Sequence, residues 1–175
     1  MKRPVFAVLV AAAPLVAWYA PAEAQTRPVM WAASASPAGP VAPGAVVRVR
    51  LTATVDPGWH LYSLTQGAGG PIPTRIRLAA DQPFQLADSI QAPGPTKSFD
   101  PNFGIPVEMY NGTVQFVLPV RVSRDARSGI DSIAVETRFQ ACDATLCMPP
   151  RTERIAVPVA VRAAPARLRP AASGR

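Results

Sequence analysis

The sequence predicts an all-β fold, an antiparallel β-sandwich, and three observations carry that expectation. The 21 prolines in 175 residues are more than twice the usual frequency of about 5% and would interrupt helices repeatedly. Apolar and polar residues alternate with a period of two in several short runs. Turn residues separate those runs at short intervals, and no stretch carries a convincing helical period. The 49% of hydrophobic residues is enough apolar surface to offset the entropy of ordering a chain, so wholesale disorder is excluded. The length suits one domain with short tails.

The first residues carry a different signal. Lys2 and Arg3 precede an uncharged apolar run from Val5 to Tyr19, and Ala22-Glu23-Ala24 places small residues before Gln25. This is the tripartite pattern of a secretory signal, with an apolar part too short for a comfortable membrane span. An uncleaved N-terminal anchor is the alternative. Residues 1–24 are therefore expected to be a signal peptide, 25–162 a β-sandwich domain, and 163–175 a disordered basic tail. The product is expected to be periplasmic or exported, and soluble after signal cleavage.

Within the domain, residues 25–44 form a lead-in with a candidate edge strand at Met30–Ala35. Ala45–Val55 sets Val47, Val49, Leu51, Ala53 and Val55 against Arg48, Arg50, Thr52 and Thr54, a half-buried strand with odd positions inward. Asp56-Pro57-Gly58 turns the chain and Trp59–Ser63 resumes it. A break at Pro71–Pro73 precedes a short strand at Thr74–Leu78, and Pro93–Ile105 reads as a loop. Asn111-Gly112 lies between Val107–Tyr110 and Thr113–Val122, which predicts a two-residue hairpin. Asn111-Gly112-Thr113 also matches a glycosylation acceptor, but the turn alone explains it. Ile133–Ala141 and Arg154–Val161 bring the total to seven or eight strands.

The formal net charge of +7 does not indicate nucleic acid. The arginines are scattered through alternating segments or gathered in the tail, no basic run is interleaved with aromatics, and export removes the chain from nucleic acid.

Chemistry concentrates in one segment, Phe139-Gln140-Ala141-Cys142-Asp143-Ala144-Thr145-Leu146-Cys147-Met148-Pro149-Pro150. In an exported protein the lone pair forms a disulfide. As a staple it is poor, because closing a loop of about six residues yields only ~2 kcal/mol, against ~4 for a bridge across many tens of residues. A bond exposed in a turn is better suited to thiol–disulfide exchange, with an adhesive or binding sandwich that carries the bond as a structural clip as the alternative. Asp143 beside Cys142 would disfavour its thiolate, whereas Arg138 and Arg151 would favour one if they turned inward. The spacing is not Cys-x-x-Cys and no βαβ pattern surrounds it, so a thioredoxin fold is excluded. A third reading is a Cu(I) module using Cys142, Cys147, Met148 and His60. No His-rich or Met-rich tract reinforces it.

Taken together, Gly58-Trp59-His60-Leu61-Tyr62, Gly70-Pro71-Ile72-Pro73-Thr74, Phe103-Gly104, Val107-Glu108-Met109-Tyr110 and the cysteine segment with its two prolines resemble the N-terminal periplasmic domain of the thiol:disulfide interchange protein DsbD. The resemblance runs from about Val29 to Val161. It implies an immunoglobulin-like sandwich whose cysteine pair passes electrons from a membrane reductant to exported proteins, as a component of a protein-disulfide reductase. It implies an aromatic cap over the disulfide, matched by Phe103 or else Phe99, and aromatic neighbours matched by His60 and Tyr62. Cys142 is expected to bond to partners and Cys147 to resolve. Alternation agrees in part: with Trp59 and Leu61 inward, His60 and Tyr62 share the other face. A plain surface histidine is the alternative for His60. Asp100 and Glu108 are the acids nearest this region and read as loop and strand surface.

The sequence contains neither the multi-helix membrane segment nor the thioredoxin-like domain of that family. The expected donor is therefore a separate membrane protein of DsbD/CcdA type acting in trans. The other expected partners are periplasmic thioredoxin-like or disulfide-containing proteins, met by a monomer. No metal, nucleotide, flavin or haem is required, so no cofactor is expected.

Overall fold

The computed structural model describes residues 27–163. The expected signal peptide and residues 164–175 of the expected tail lie outside the described residues. Eleven strands occur among the described residues: β1 (Val29–Ser36), β2 (Val46–Val55), β3 (His60–Tyr62), β4 (Arg75–Leu78), β5 (Phe84–Leu86), β6 (Thr96–Asp100), β7 (Ile105–Tyr110), β8 (Thr113–Val122), β9 (Gly129–Phe139), β10 (Ala141–Cys142) and β11 (Arg151–Val161). They form three antiparallel sheets, ordered β1-β2-β8-β5, β10-β3-β7-β6 and β11-β9-β4. The all-β, immunoglobulin-like sandwich predicted from the sequence is the fold observed.

The main core is built by period-two patterning. Val47, Val49, Leu51 and Ala53 of β2 are wholly buried, as are Phe116, Leu118, Val120 and Val122 of β8. They pack with Ile133 and Val135 of β9 and Val157 of β11 in one apolar cluster. Trp31 lies against Phe116 and Phe139, with ring centroids 6.1 and 5.5 Å away. A second, smaller cluster of Tyr62, Val107, Met109 and Cys142 forms on the β10-β3-β7-β6 sheet. That sheet carries the candidate site.

Three expectations are corrected. The Asn111-Gly112 turn does not close a hairpin. β7 pairs with β3 and β6, whereas β8 pairs with β2 and β5, so the turn is a corner between two sheets. Gly112 alone takes a positive φ, 63°, where the hairpin turn needs two such residues, and its carbonyl accepts from Val55 N at 2.9 Å. Next, the expected loop over 93–105 contains β6, which pairs with β7 across a turn at 101–104. Thr96 to Phe99 are all exposed, so this edge strand has no apolar alternation to reveal it. Finally, β5 was not expected, because its three residues are too few to show a period.

Leu51 sits at the centre of the main core with no exposed surface. Leu51→Ala is expected to cost about 3 kcal/mol in urea unfolding, since the surrounding sheets relax only partly into the cavity. A loss under about 1 kcal/mol would mean that this core is loosely packed.

Candidate functional site

β3 is only three residues long and all three are buried, because it is flanked by β10 on one side and β7 on the other. Leu61 enters the main core, and Tyr62 enters the smaller one. His60 shares the Tyr62 face and is itself buried, so the surface reading is corrected. The register places Cys142 of β10 directly opposite His60.

Cys142 and Cys147 form a disulfide with Cα atoms 4.1 Å apart. The loop between them is ordered by its own hydrogen bonds. Asp143 N donates to Leu146 O at 2.9 Å, and Met148 N donates to Ala141 O at 2.9 Å. Asp143 Oδ1 accepts from the backbone N–H groups of Thr145 and Leu146, each at 2.7 Å, an Asx turn. Those two N–H groups hold the carboxyl of Asp143 below the usual carboxylate range. Its charge is thus engaged with loop amides, not aimed at Cys142. Arg138 is exposed on β9 and does not turn inward. Cys142 is wholly buried, while Cys147 is half-buried.

The acid that matters is Asp100, at the end of β6. It is fully buried, and its Oδ2 accepts from the Tyr62 hydroxyl at 2.5 Å. His60 Nε2 lies 3.3 Å from the same oxygen, and Asn102 N donates to Oδ1 at 2.8 Å. The surface-loop reading of Asp100 is therefore corrected. Burial raises its pKa most of any single influence. The hydrogen bonds from Tyr62, Asn102 and His60, with the attraction of His60, together outweigh it and hold the carboxyl below its ordinary value. Tyr62 moves the opposite way. Burial first, then the bond to Asp100 and the Asp100 charge, push its phenol well above the ordinary range. Tyr62 therefore stays protonated and donates to Asp100, and its oxygen also lies 3.2 Å from His60 Nε2. That oxygen lies 4.0 Å from Cys147 Sγ.

Phe103 is 37% exposed and meets Tyr62 edge-on at a centroid distance of 6.0 Å. It belongs to the turn between β6 and β7, where Gly104 adopts a φ of 66°. Asn102 Nδ2 in the same turn donates to Asp143 O at 2.8 Å, tying the turn to the cysteine loop. Phe99, by contrast, is 64% exposed. Beyond the loop, Phe139, Ala141, Met148, Pro149, Pro150 and Arg151 contribute to an apolar cavity of about 270 Å³. Glu108 stands apart, accepting from Thr65 and Ser63 at 2.6 and 3.1 Å.

Cys142, Cys147, His60, Tyr62 and Phe103 thus occupy one place in the fold. Sequence reasoning missed Asp100 and Asn102, which lie in a stretch that reads as loop. Among the described residues no group of three or more His, Cys, Asp and Glu is arranged to hold a metal ion. Among the described residues no helix is long and apolar enough to cross a membrane.

A family model described as "Thiol:disulfide interchange protein DsbD, N-terminal" matches residues 32–158. Among solved structures, the N-terminal periplasmic domain of ScsB from Proteus mirabilis aligns with 21% identity and a TM-score of 0.48, over 76% of this chain and 45% of that one. This chain therefore spans less than half of that structure. The Neisseria meningitidis DsbD N-terminal domain in the reduced form aligns with 15% identity and a TM-score of 0.41, over 69% of this chain and 79% of that one. No curated protein matches.

Because the folded carboxyl of Asp100 is depressed, its stabilisation is full above its unfolded value near pH 4 and is lost as pH falls through the folded value. Asp100→Asn is expected to be less stable than the parent by about 1–3 kcal/mol at pH 7. The gap should close below about pH 4 in urea titrations. A gap independent of pH would contradict the buried charged network.

Proposed function

The chain belongs to the DsbD N-terminal domain family, and from that membership we propose that it is a periplasmic thiol–disulfide exchange domain whose Cys142–Cys147 pair passes electrons between a membrane reductant and exported proteins. Family membership and a disulfide-forming pair fit thiol–disulfide exchange in general. The route is the finer proposal: a membrane donor of DsbD/CcdA type in trans on one side, and thioredoxin-like or disulfide-containing exported proteins on the other. One observation carries it. The disulfide is backed by a buried acid, imidazole and phenol, at Asp100, His60 and Tyr62. Such groups are costly to bury, and a clip that merely closes a turn has no use for them.

Burial favours the reverse of the roles expected for the two cysteines. Cys142 has no exposed surface, whereas Cys147 is half-buried in the loop. The sulfur open to attack is therefore assigned to Cys147. A partner thiolate bonds to Cys147 Sγ, the Cys142–Cys147 bond breaks, and the electron pair leaves on Cys142 Sγ. The partner's second thiolate then attacks its own sulfur in the mixed disulfide and releases Cys147. The partner departs oxidised, and two electrons and two protons remain with this domain. Run in reverse, the same steps reduce a partner.

Phe103 meets Tyr62 edge-on, the Tyr62 hydroxyl lies 4.0 Å from Cys147 Sγ, and Asn102 ties the turn that carries Phe103 to the cysteine loop. The role assigned to them is restricting entry to partners able to displace the Phe103 ring. The apolar cavity lined in part by Met148 and Pro149, which follow Cys147 in the chain, offers such partners contact surface.

Single-cysteine variants test the roles. Cys142→Ser keeps the half-exposed thiol and is expected to form its adduct with glutathione disulfide about tenfold faster than Cys147→Ser, followed by mass spectrometry. Equal rates, or the opposite order, would return the partner-bonding role to Cys142.

A further inference from the structure

His60 is the single histidine of the chain, and its position raises a question that exchange chemistry alone leaves open. When the disulfide opens, Cys142 Sγ leaves as an anion. It does so at a residue with no exposed surface, on the sheet face that also carries Tyr62. Asp100, already ionised and buried, bonds both Tyr62 and His60. A second negative charge in such surroundings is unfavourable both by burial and by like-charge repulsion. The site must supply a proton or a countercharge.

The groups facing His60 can be enumerated by element. Asp100 comes from β6, at 3.3 Å from Nε2, and Tyr62 from β3 itself, at 3.2 Å. Cys142 comes from β10 as the register partner, and Cys147 follows in the loop beyond Tyr62. Asp143, in the same loop, is within range of electrostatic attraction. None of these can carry a positive charge. Directly opposed residues of an antiparallel pair share a face, with Cβ atoms about 4.5–5.5 Å apart. His60 is thus the one group in the cluster placed to neutralise the departing sulfur, and imidazole is the side chain suited to exchanging a proton near neutral pH.

We propose that His60 is the redox-linked proton carrier of this site, becoming or remaining imidazolium when the pair is reduced and so countercharging Cys142 Sγ as a thiolate. The inference rests on the exchange reading above. The balance is complete with a dithiol partner. Its two electrons break the Cys142–Cys147 bond and its sulfurs join in a new disulfide. Of its two protons, one ends on Cys147 Sγ and the other on the His60 ring. At a pH where the ring is already protonated beside the disulfide, the second proton goes to solvent instead. Asp100 keeps its charge throughout and orients the ring through Nε2.

The test is the equilibrium constant for reduction by dithiothreitol, whose thiols stay protonated from pH 5 to 7.5, measured in the parent and in His60→Gln. In the parent, the constant should rise by up to about tenfold per pH unit wherever the ring is already charged beside the disulfide, because reduction then releases one proton. In His60→Gln, it should change by less than about twofold, since two thiols then form without net proton release. A rise of equal size in both proteins would overturn the proposal. A second measurement needs no variant: the proton magnetic resonance signal of the sole histidine. It should report a ring that holds its proton to higher pH in the reduced protein than in the oxidised one, as linkage requires. Superimposable titrations would overturn the proposal while leaving exchange intact. A pair that dithiothreitol does not reduce at any pH would instead remove the exchange reading, and this inference with it.

Discussion

The pairing of β10 with β3 is the contact on which the site depends. It is a ladder of two residues, Ala141 against Leu61 and Cys142 against His60. Side chains alternate across a strand, so this register sends Leu61 and Ala141 into the main core and turns His60, Tyr62 and Cys142 together toward the smaller one. A slip of one residue would exchange the two sets, placing the imidazole and phenol among the aliphatic side chains of β2 and β8. Burial on both sides forbids that slip. The large sandwich core thus does more than stabilise the domain; it fixes the geometry of three polar groups around one disulfide.

From that register the rest follows in order. Tyr62 brings its hydroxyl to Asp100, and Asp100 fixes the end of β6 and the start of the turn that bears Asn102 and Phe103. Asn102 closes the circuit by donating to the backbone of the cysteine loop. The buried carboxylate, costly in isolation, is offset by three donors. The disulfide itself adds little to stability, because its loop is short. It is a bond held against a polar wall, between a buried cysteine and a half-buried one.

How much of this was legible in the sequence varies with the physical signal. β2 and β8 could be read almost residue by residue, since each buries one face and exposes the other. β6 could not, because an edge strand exposed over four residues has no pattern to read, and Asp100 was lost with it. Asn111-Gly112 announced a turn correctly but not its partner, since pairing with β2 and β3 is a tertiary choice that no dipeptide encodes. Cys142 and Cys147 stand out by type and spacing, and His60, Tyr62 and Phe103 through the family motif. Which cysteine is open was not legible, because exposure depends on β10 lying beside β3.

The central claim is that the Cys142–Cys147 bond is a reagent, and its reduction potential tests that most directly. Equilibration with glutathione buffers, followed by thiol trapping, should give a value in the range of exchange proteins, about −180 to −270 mV. A value below about −300 mV, with the bond intact in every glutathione buffer, would mark a structural clip and contradict the account.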